Sequence, residues 1–207
     1  MGGWYDKWLL TPLTDRLCGL GPIMRRRAEV VPRAEGVVLE PGIGSGRNLG
    51  LYDPAKVKHV IGVDPGAEMV RLARRRAERA AVPVDILERS AEALPLEDDS
   101  VDTVLLTYTG CTIPDIARAL AEFRRVLKPS GRLLLCEHGR SHEHRVAHVQ
   151  DAVNPVWRRL AGGCNVNRDM ERLLKEAGFA VEEMRRFYAL PRPKFVSYHY
   201  VGAARVR

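Results

Sequence analysis

The chain has 207 residues, 45% of them apolar and 29% charged, the profile of one soluble globular domain long enough to bury a sizeable core. Its four cysteines (Cys18, Cys111, Cys136, Cys164) form no C-x-x-C pair, and the sequence shows neither a signal-peptide pattern nor a membrane-spanning apolar run. These features argue against a disulfide framework, a thiolate zinc site or a secreted chain, and for a reducing cytoplasm. The formal charge of +7 is spread over Arg25–Arg27, Arg74–Arg76, Arg158–Arg159 and Arg185–Arg186. Such scattered clusters suit solvated helix faces, with peripheral contact to an anionic membrane as the alternative, and no nucleic acid partner is expected.

Residues 1–35 read as one or two helices broken at Pro12, Gly19–Gly21 and Pro32, a helical extension laid over the edge or the ligand crevice of a sheet. From residue 36 to 207 the pattern is that of a single domain. Short apolar runs at 36–40, 59–64, 84–87, 101–107 and 132–138 are expected to be strands of a parallel sheet covered on both faces. Between them, 67–80 and 115–128 carry apolar residues at three- and four-residue steps, with Pro129-Ser130-Gly131 expected to stop the second helix. The alternation predicts a doubly wound α/β fold with helices on both faces. The helix expected at 167–177 closes at Gly178, and the extended runs 180–190 and 195–206 follow. Two strands joined by so short a loop pair antiparallel.

The first expected strand runs into Glu40-Pro-Gly42-Ile-Gly44-Ser-Gly46. A dinucleotide turn requires a third glycine at position 47 or 49, according to register, and those positions hold Arg47 and Leu49. No Gly-Lys-Ser/Thr follows, so the loop is not a P-loop either. Alternating glycines allow backbone to approach an amino-acid-like moiety, and Glu40 at the strand end suits a cationic amine. Asp64 ends the second strand 24 residues later, where a carboxylate can accept from both hydroxyls of a ribose.

"LEPGIGSGRN", "VIGVDPGAEMVRLAR" and the segment from Arg89 to His138 resemble the class I S-adenosylmethionine-dependent methyltransferases of the small-molecule branch. The resemblance covers roughly residues 36–207. It implies a Rossmann-like seven-stranded sheet, mostly parallel with a reversed last strand. It implies S-adenosylmethionine as cofactor and S-adenosylhomocysteine as product. The residues it places around them are Glu40, Gly42, Gly44, Gly46, Asp64, Pro65, Met69 and Thr107, with Tyr5 in a lid. Where the family commonly has Gly-Asp-Ala, this chain has Arg89-Ser90-Ala91, which leaves Ser90, Ala91 and Glu92 as the candidates for reading adenine.

Thr107-Tyr-Thr-Gly-Cys111-Thr follows the fourth strand in place of the Asn/Asp-Pro-Pro-aromatic turn of base-amine methyltransferases. His138 ends the fifth strand and is the candidate general base; His142, His144 and His148 carry no metal signature, and no metal is expected. The segment with Glu137, His138, Pro155, Trp157, Gly163, Cys164, Asn165 and Arg168 resembles alkyl-thiol methyltransferases and bacterial phospholipid and ubiquinone/menaquinone-type relatives. Cys111, Trp157 and Asn165 are then the candidate substrate pocket. The expected acceptor is a thiol or other small apolar nucleophile, with a phospholipid headgroup or quinone as alternatives. A cofactor-binding module without turnover is the alternative of another class.

Overall fold

The structure is a computed structural model that describes residues 11–207. In chain order the elements are α1 (Thr11–Cys18), α2 (Gly21–Val30), a 3₁₀ turn (Val31–Arg33), β1 (Gly36–Pro41), β2 (Val57–Val63), α3 (Ala67–Ala77) and β3 (Val84–Leu87). There follow β4 (Val101–Thr107), α4 (Ile116–Val126), β5 (Leu127–His138), α5 (His144–Leu160), α6 (Met170–Glu176), β6 (Phe179–Tyr188), α7 (Lys194–Ser197) and β7 (Tyr198–Val206).

All seven strands form one sheet in the order β3-β2-β1-β4-β5-β7-β6. The pairs from β3 to β5 are parallel, and β7 runs antiparallel to both of its neighbours. The strand order reverses between β1 and β4, so the carboxyl ends of these strands border the crevice where such folds take ligands.

The apolar runs of the central strands are two interleaved sets. Leu39, Val104, Leu106, Leu133 and Leu135 pack on one face with Leu120 and Phe123 of α4 and Leu174 of α6. Val38, Leu105 and Leu134 pack on the other with Val30 of α2 and Ala73 of α3. Side chains alternate sides along a strand, so covering both faces requires apolar residues at consecutive positions. Each fully buried Leu or Phe contributes roughly 1.5–3 kcal/mol.

Local signals fix the helix starts. Asp115 accepts from Arg118 N at 3.0 Å ahead of α4, and Asp169 accepts from Arg172 N at 3.1 Å ahead of α6; both are side-chain N-caps. Some ends differ from expectation. The helix expected to reach Lys128 stops at Val126, and Leu127 already pairs with Val101 of β4. Pro129 explains this, because the residue before a proline is pushed out of the helical region. The last extended run opens with the short helix α7 before β7 begins at Tyr198.

Candidate functional site

The carboxyl ends of β1, β2 and β4 open into a cleft of about 760 Å³, within the range of small-molecule sites. The loop after β1 forms its floor. Gly42, Gly44 and Gly46 all have positive φ, at 63°, 55° and 80°, a conformation that glycine adopts without steric cost. A Cβ at Gly42 would collide with the side chain of Thr109, whose hydroxyl donates to Gly42 O at 3.1 Å.

Asp64 locks this loop to the end of β2. Its carboxylate accepts from Gly44 N at 3.0 Å and from Gly66 N at 2.8 Å. Burial pushes its pKa up, and the two backbone hydrogen bonds oppose that shift. Pro65, Met69, Ser90 and Ala91 join Asp64, Gly42 and Gly44 in the cleft lining.

Arg47 stands where a dinucleotide loop would have glycine, and its role lies in another element. Its guanidinium donates to Asp15 of α1 at 2.9 and 2.7 Å, Arg76 of α3 donates to the same carboxylate at 3.0 and 3.2 Å, and Ser45 donates to it as well. Burial pushes the Asp15 pKa up, but the hydrogen bonds from Arg76, Arg47 and Ser45 outweigh it and hold the carboxyl well below its usual range. Asp15, Thr14, Thr11 and Cys18 thereby place α1 in the cleft wall. Tyr5 lies outside the described residues.

Glu40 turns away from the cleft. It is buried beneath the loop, where Tyr52 donates to Oε2 at 2.6 Å and Asn48 to Oε1 at 2.8 Å. Arg27 extends the network, donating to Asn48 Oδ1 at 3.0 Å and to Thr107 Oγ1 at 2.7 Å. Burial pushes the Glu40 pKa up to about 7 against the hydrogen bonds from Tyr52 and Asn48 and the nearby Arg27. Thr107 belongs to the same buried set, and neither residue lines the cleft. Glu92 is also engaged elsewhere, accepting from Asp115 N at 2.6 Å and from Ser90 Oγ at 3.0 Å. Glu88, which is outside the sequence-predicted set, lines the cleft together with Glu68.

After β4 the lining consists of Tyr108, Thr109, Thr112, Ile113 and Pro114, and the far wall is Ala161 and Gly162 at the end of α5. Cys111, Trp157 and Asn165 do not line it. Asn165 spends its amide on Cys111 O at 2.9 Å and Gly163 O at 3.0 Å, and Trp157 packs edge-on against Phe195.

His138 likewise stands behind the wall, with Nε2 at 3.2 Å from Cys164 Sγ. One donor atom each from Cys111, His138 and Cys164 falls within 4.8 Å of the others, a gathering that residues so far apart in sequence did not foretell. The closeness of the two thiols, with His138 beside Cys164, pulls Cys164 below its ordinary range, and the same closeness together with burial pushes Cys111 above it. Beside them the buried Glu137 accepts from Thr109 N at 2.7 Å and Gly110 N at 2.9 Å, fixing the loop after β4. His144 and His148 are exposed on α5.

Comparison with known proteins supports this fold. The family profile described as "Methyltransferase domain" matches residues 39–135. The chain is 27% identical over 200 residues to the mitochondrial methyltransferase OMS1 of Saccharomyces cerevisiae, covering 88% of this chain and 41% of that protein. It is 28% identical over 149 residues to the thiol S-methyltransferase TMT1B of Rattus norvegicus, covering 70% of this chain and 61% of that one. The chain thus spans about half the length of these curated relatives. Among solved structures, the 1,6-didemethyltoxoflavin-N1-methyltransferase of Burkholderia thailandensis, with 1,6-didemethyltoxoflavin and S-adenosylhomocysteine bound, superposes with a TM-score of 0.68 at 20% identity. That match covers 95% of this chain and 83% of the other.

Proposed function

We propose that this chain, whose residues 39–135 match a methyltransferase domain, is a class I S-adenosylmethionine-dependent methyltransferase that transfers a methyl group from S-adenosylmethionine to a small thiol or similarly soft, apolar acceptor. The observation that carries the reading is the Asp64 carboxylate, pinned by Gly44 N and Gly66 N at the edge of the glycine-floored cleft. Each of its oxygens keeps a lone pair for a ribose hydroxyl. Gly42 and Gly44 leave the floor free of side chains for an amino-acid moiety, and Met69, Ser90, Ala91 and Glu88 line the adenine end. The donor set and the cavity size fit the cofactor.

When bound, the cofactor supplies a methyl already activated on a sulfonium. The tasks left to the chain are to align the acceptor and to exclude water. Thr112, Ile113, Pro114, Ala161 and Gly162 provide a wall without charge, suited to an apolar acceptor. A thiol is ionised to a few per cent at neutral pH and is strongly nucleophilic, so its transfer needs no strong base. The similarity to a thiol S-methyltransferase supports that acceptor class, and four unpaired cysteines favour a reducing compartment such as the cytoplasm.

A second reading, methylation of a lipid headgroup or quinone at a membrane surface, has its own observation. Leu13 and Leu17 of α1, Leu20 just beyond it, and Val149, Val156 and Leu160 of α5 are 47–69% exposed, and α1 and the turn that follows α5 border the cleft. Among the described residues no helix is long and apolar enough to cross a membrane. Co-sedimentation with anionic liposomes that weakens with salt would favour this reading.

The test is incubation with methyl-labelled cofactor and a panel of thiols, amines, phenols and lipids, with products identified by mass. Label on a thiol sulfur is the expected result. Cofactor binding without transfer to any acceptor would leave a binding module without turnover and overturn the proposal.

A further inference from the structure

Behind the cleft wall, three soft donors meet from three distant parts of the chain. Cys111 follows β4, His138 ends β5 and Cys164 follows α5, and their ligand atoms lie within 4.8 Å of one another. We propose that Cys111, His138 and Cys164 form a Zn²⁺-binding site just behind the wall of the cleft, with a fourth position left to an exogenous ligand.

The donor set selects the ion. Two thiolates and an imidazole suit a thiophilic d¹⁰ cation, whereas Mg²⁺ and Ca²⁺ require oxygen ligands. With Zn–S near 2.3 Å and Zn–N near 2.0–2.1 Å, tetrahedral geometry sets donor–donor separations of about 3.5–3.8 Å. The 3.2 Å from His138 Nε2 to Cys164 Sγ and the 4.8 Å limit of the cluster bracket that range, so small side-chain rotations suffice to close the site. Three protein ligands with an open fourth position is the arrangement of zinc sites that take substrate or water.

The scaffold around the donors is already ordered. Asn165 donates from both its backbone N and its side-chain amide to Cys111 O, each at 2.9 Å, tying the Cys111 loop to the Cys164 loop. Cys164 N donates to Ala161 O at 3.1 Å, and His138 is held in register opposite His199 of β7. The indole N–H of Trp157 is buried without a partner and stands against Cys164, a donor suited to a metal-bound thiolate. Two thiolates neutralise a divalent ion, and the guanidinium of Arg168, which donates to Gly110 O, and the Glu137 carboxylate flank the set with opposite charges. Thr112 and Gly162, within two residues of Cys111 and Cys164, line the cleft.

The test uses the reduced, metal-free full chain titrated with Co²⁺ as a spectroscopic substitute and then with Zn²⁺. The proposal expects saturation at one equivalent, with thiolate-to-cobalt charge-transfer absorption and the visible bands of tetrahedral cobalt, displaced by one equivalent of Zn²⁺ and unaffected by Mg²⁺. Cys164→Ser and Cys111→Ser should each weaken binding roughly 10-fold or more and diminish the charge-transfer band, while Cys18→Ser and Cys136→Ser retain it. Should the ligand variants fail to fold, alkylation of the unaltered chain replaces them, with Zn²⁺ expected to protect Cys111 and Cys164. No charge-transfer band in the unaltered protein, or Zn²⁺ that protects neither thiol, would overturn the site. Neither readout depends on methyl transfer, so this site and the methyltransferase reading fail separately.

Discussion

Replacing Asp64 by Asn tests the cofactor site at its most informative atom pair. Both carboxylate oxygens accept backbone hydrogen bonds, from Gly44 N at 3.0 Å and Gly66 N at 2.8 Å. An asparagine amide offers one oxygen, so one of the two N–H groups must face an NH₂ donor and lose its partner. Hydrogen bonds to a charged acceptor contribute about 1.5–3 kcal/mol. Loss of one, together with the charge facing the ribose, should weaken S-adenosylhomocysteine binding by about 10- to 100-fold. Equilibrium dialysis with labelled S-adenosylhomocysteine measures the affinity, and urea unfolding of the same protein measures what the loop itself loses. A folded Asp64→Asn variant that binds within twofold of the unaltered chain would refute the assignment of the ribose to this carboxylate.

Glu40→Gln should flatten the pH dependence of stability. Burial holds this carboxyl at about 7 instead of 4.5, so the folded state binds the proton more tightly than the unfolded chain. The contribution is present in full below pH 4.5 and is lost as the pH rises through 7, about 3 kcal/mol in all; the buried Glu137 is raised to about 7 as well and keeps its own dependence, so urea midpoints at pH 5 and pH 8 should lie closer together in the variant without meeting, and an unchanged difference would contradict the account. Asp15→Ala should release α1 from Arg47 and Arg76, read as amide exchange in α1 about 10- to 100-fold faster. Because the Asp15 pKa is lowered in the fold, the docking it supports is present above its unfolded value and lost as the pH falls below about 4. Exchange rates in α1 indifferent to both changes would exclude the anchor. Gly42→Ala combines a positive φ with a collision against Thr109 and should cost about 2–4 kcal/mol; thermal unfolding at the unaltered midpoint would contradict the close approach.

The sheet was legible because its central strands must be apolar at consecutive positions, as Val38 and Leu39 or Leu133, Leu134 and Leu135 are. The tight turn after β1 was legible for a related reason, since Gly42, Gly44 and Gly46 take backbone conformations that few other residues tolerate. Direction was harder to read. Glu40 stands at the expected strand end, yet Tyr52 and Asn48 draw its carboxylate into the core, a choice made by two residues whose approach depends on the folded loop. Arg47 announced itself only as the wrong residue for a dinucleotide turn, and its partner Asp15 lies 32 positions away. Cys111, His138 and Cys164 are separated by 27 and 26 residues. They meet because β4 pairs with β5 and because the chain returns through α5 to the Asn165–Cys111 hydrogen bonds. Spacing rules detect ligands that share a turn or a helix, and this set shares neither.

The most direct measurement is calorimetric titration of the full chain with S-adenosylhomocysteine. The account predicts saturable binding at one equivalent, lost or weakened in Asp64→Asn. A folded chain that shows no saturable binding of S-adenosylhomocysteine or S-adenosylmethionine would contradict it.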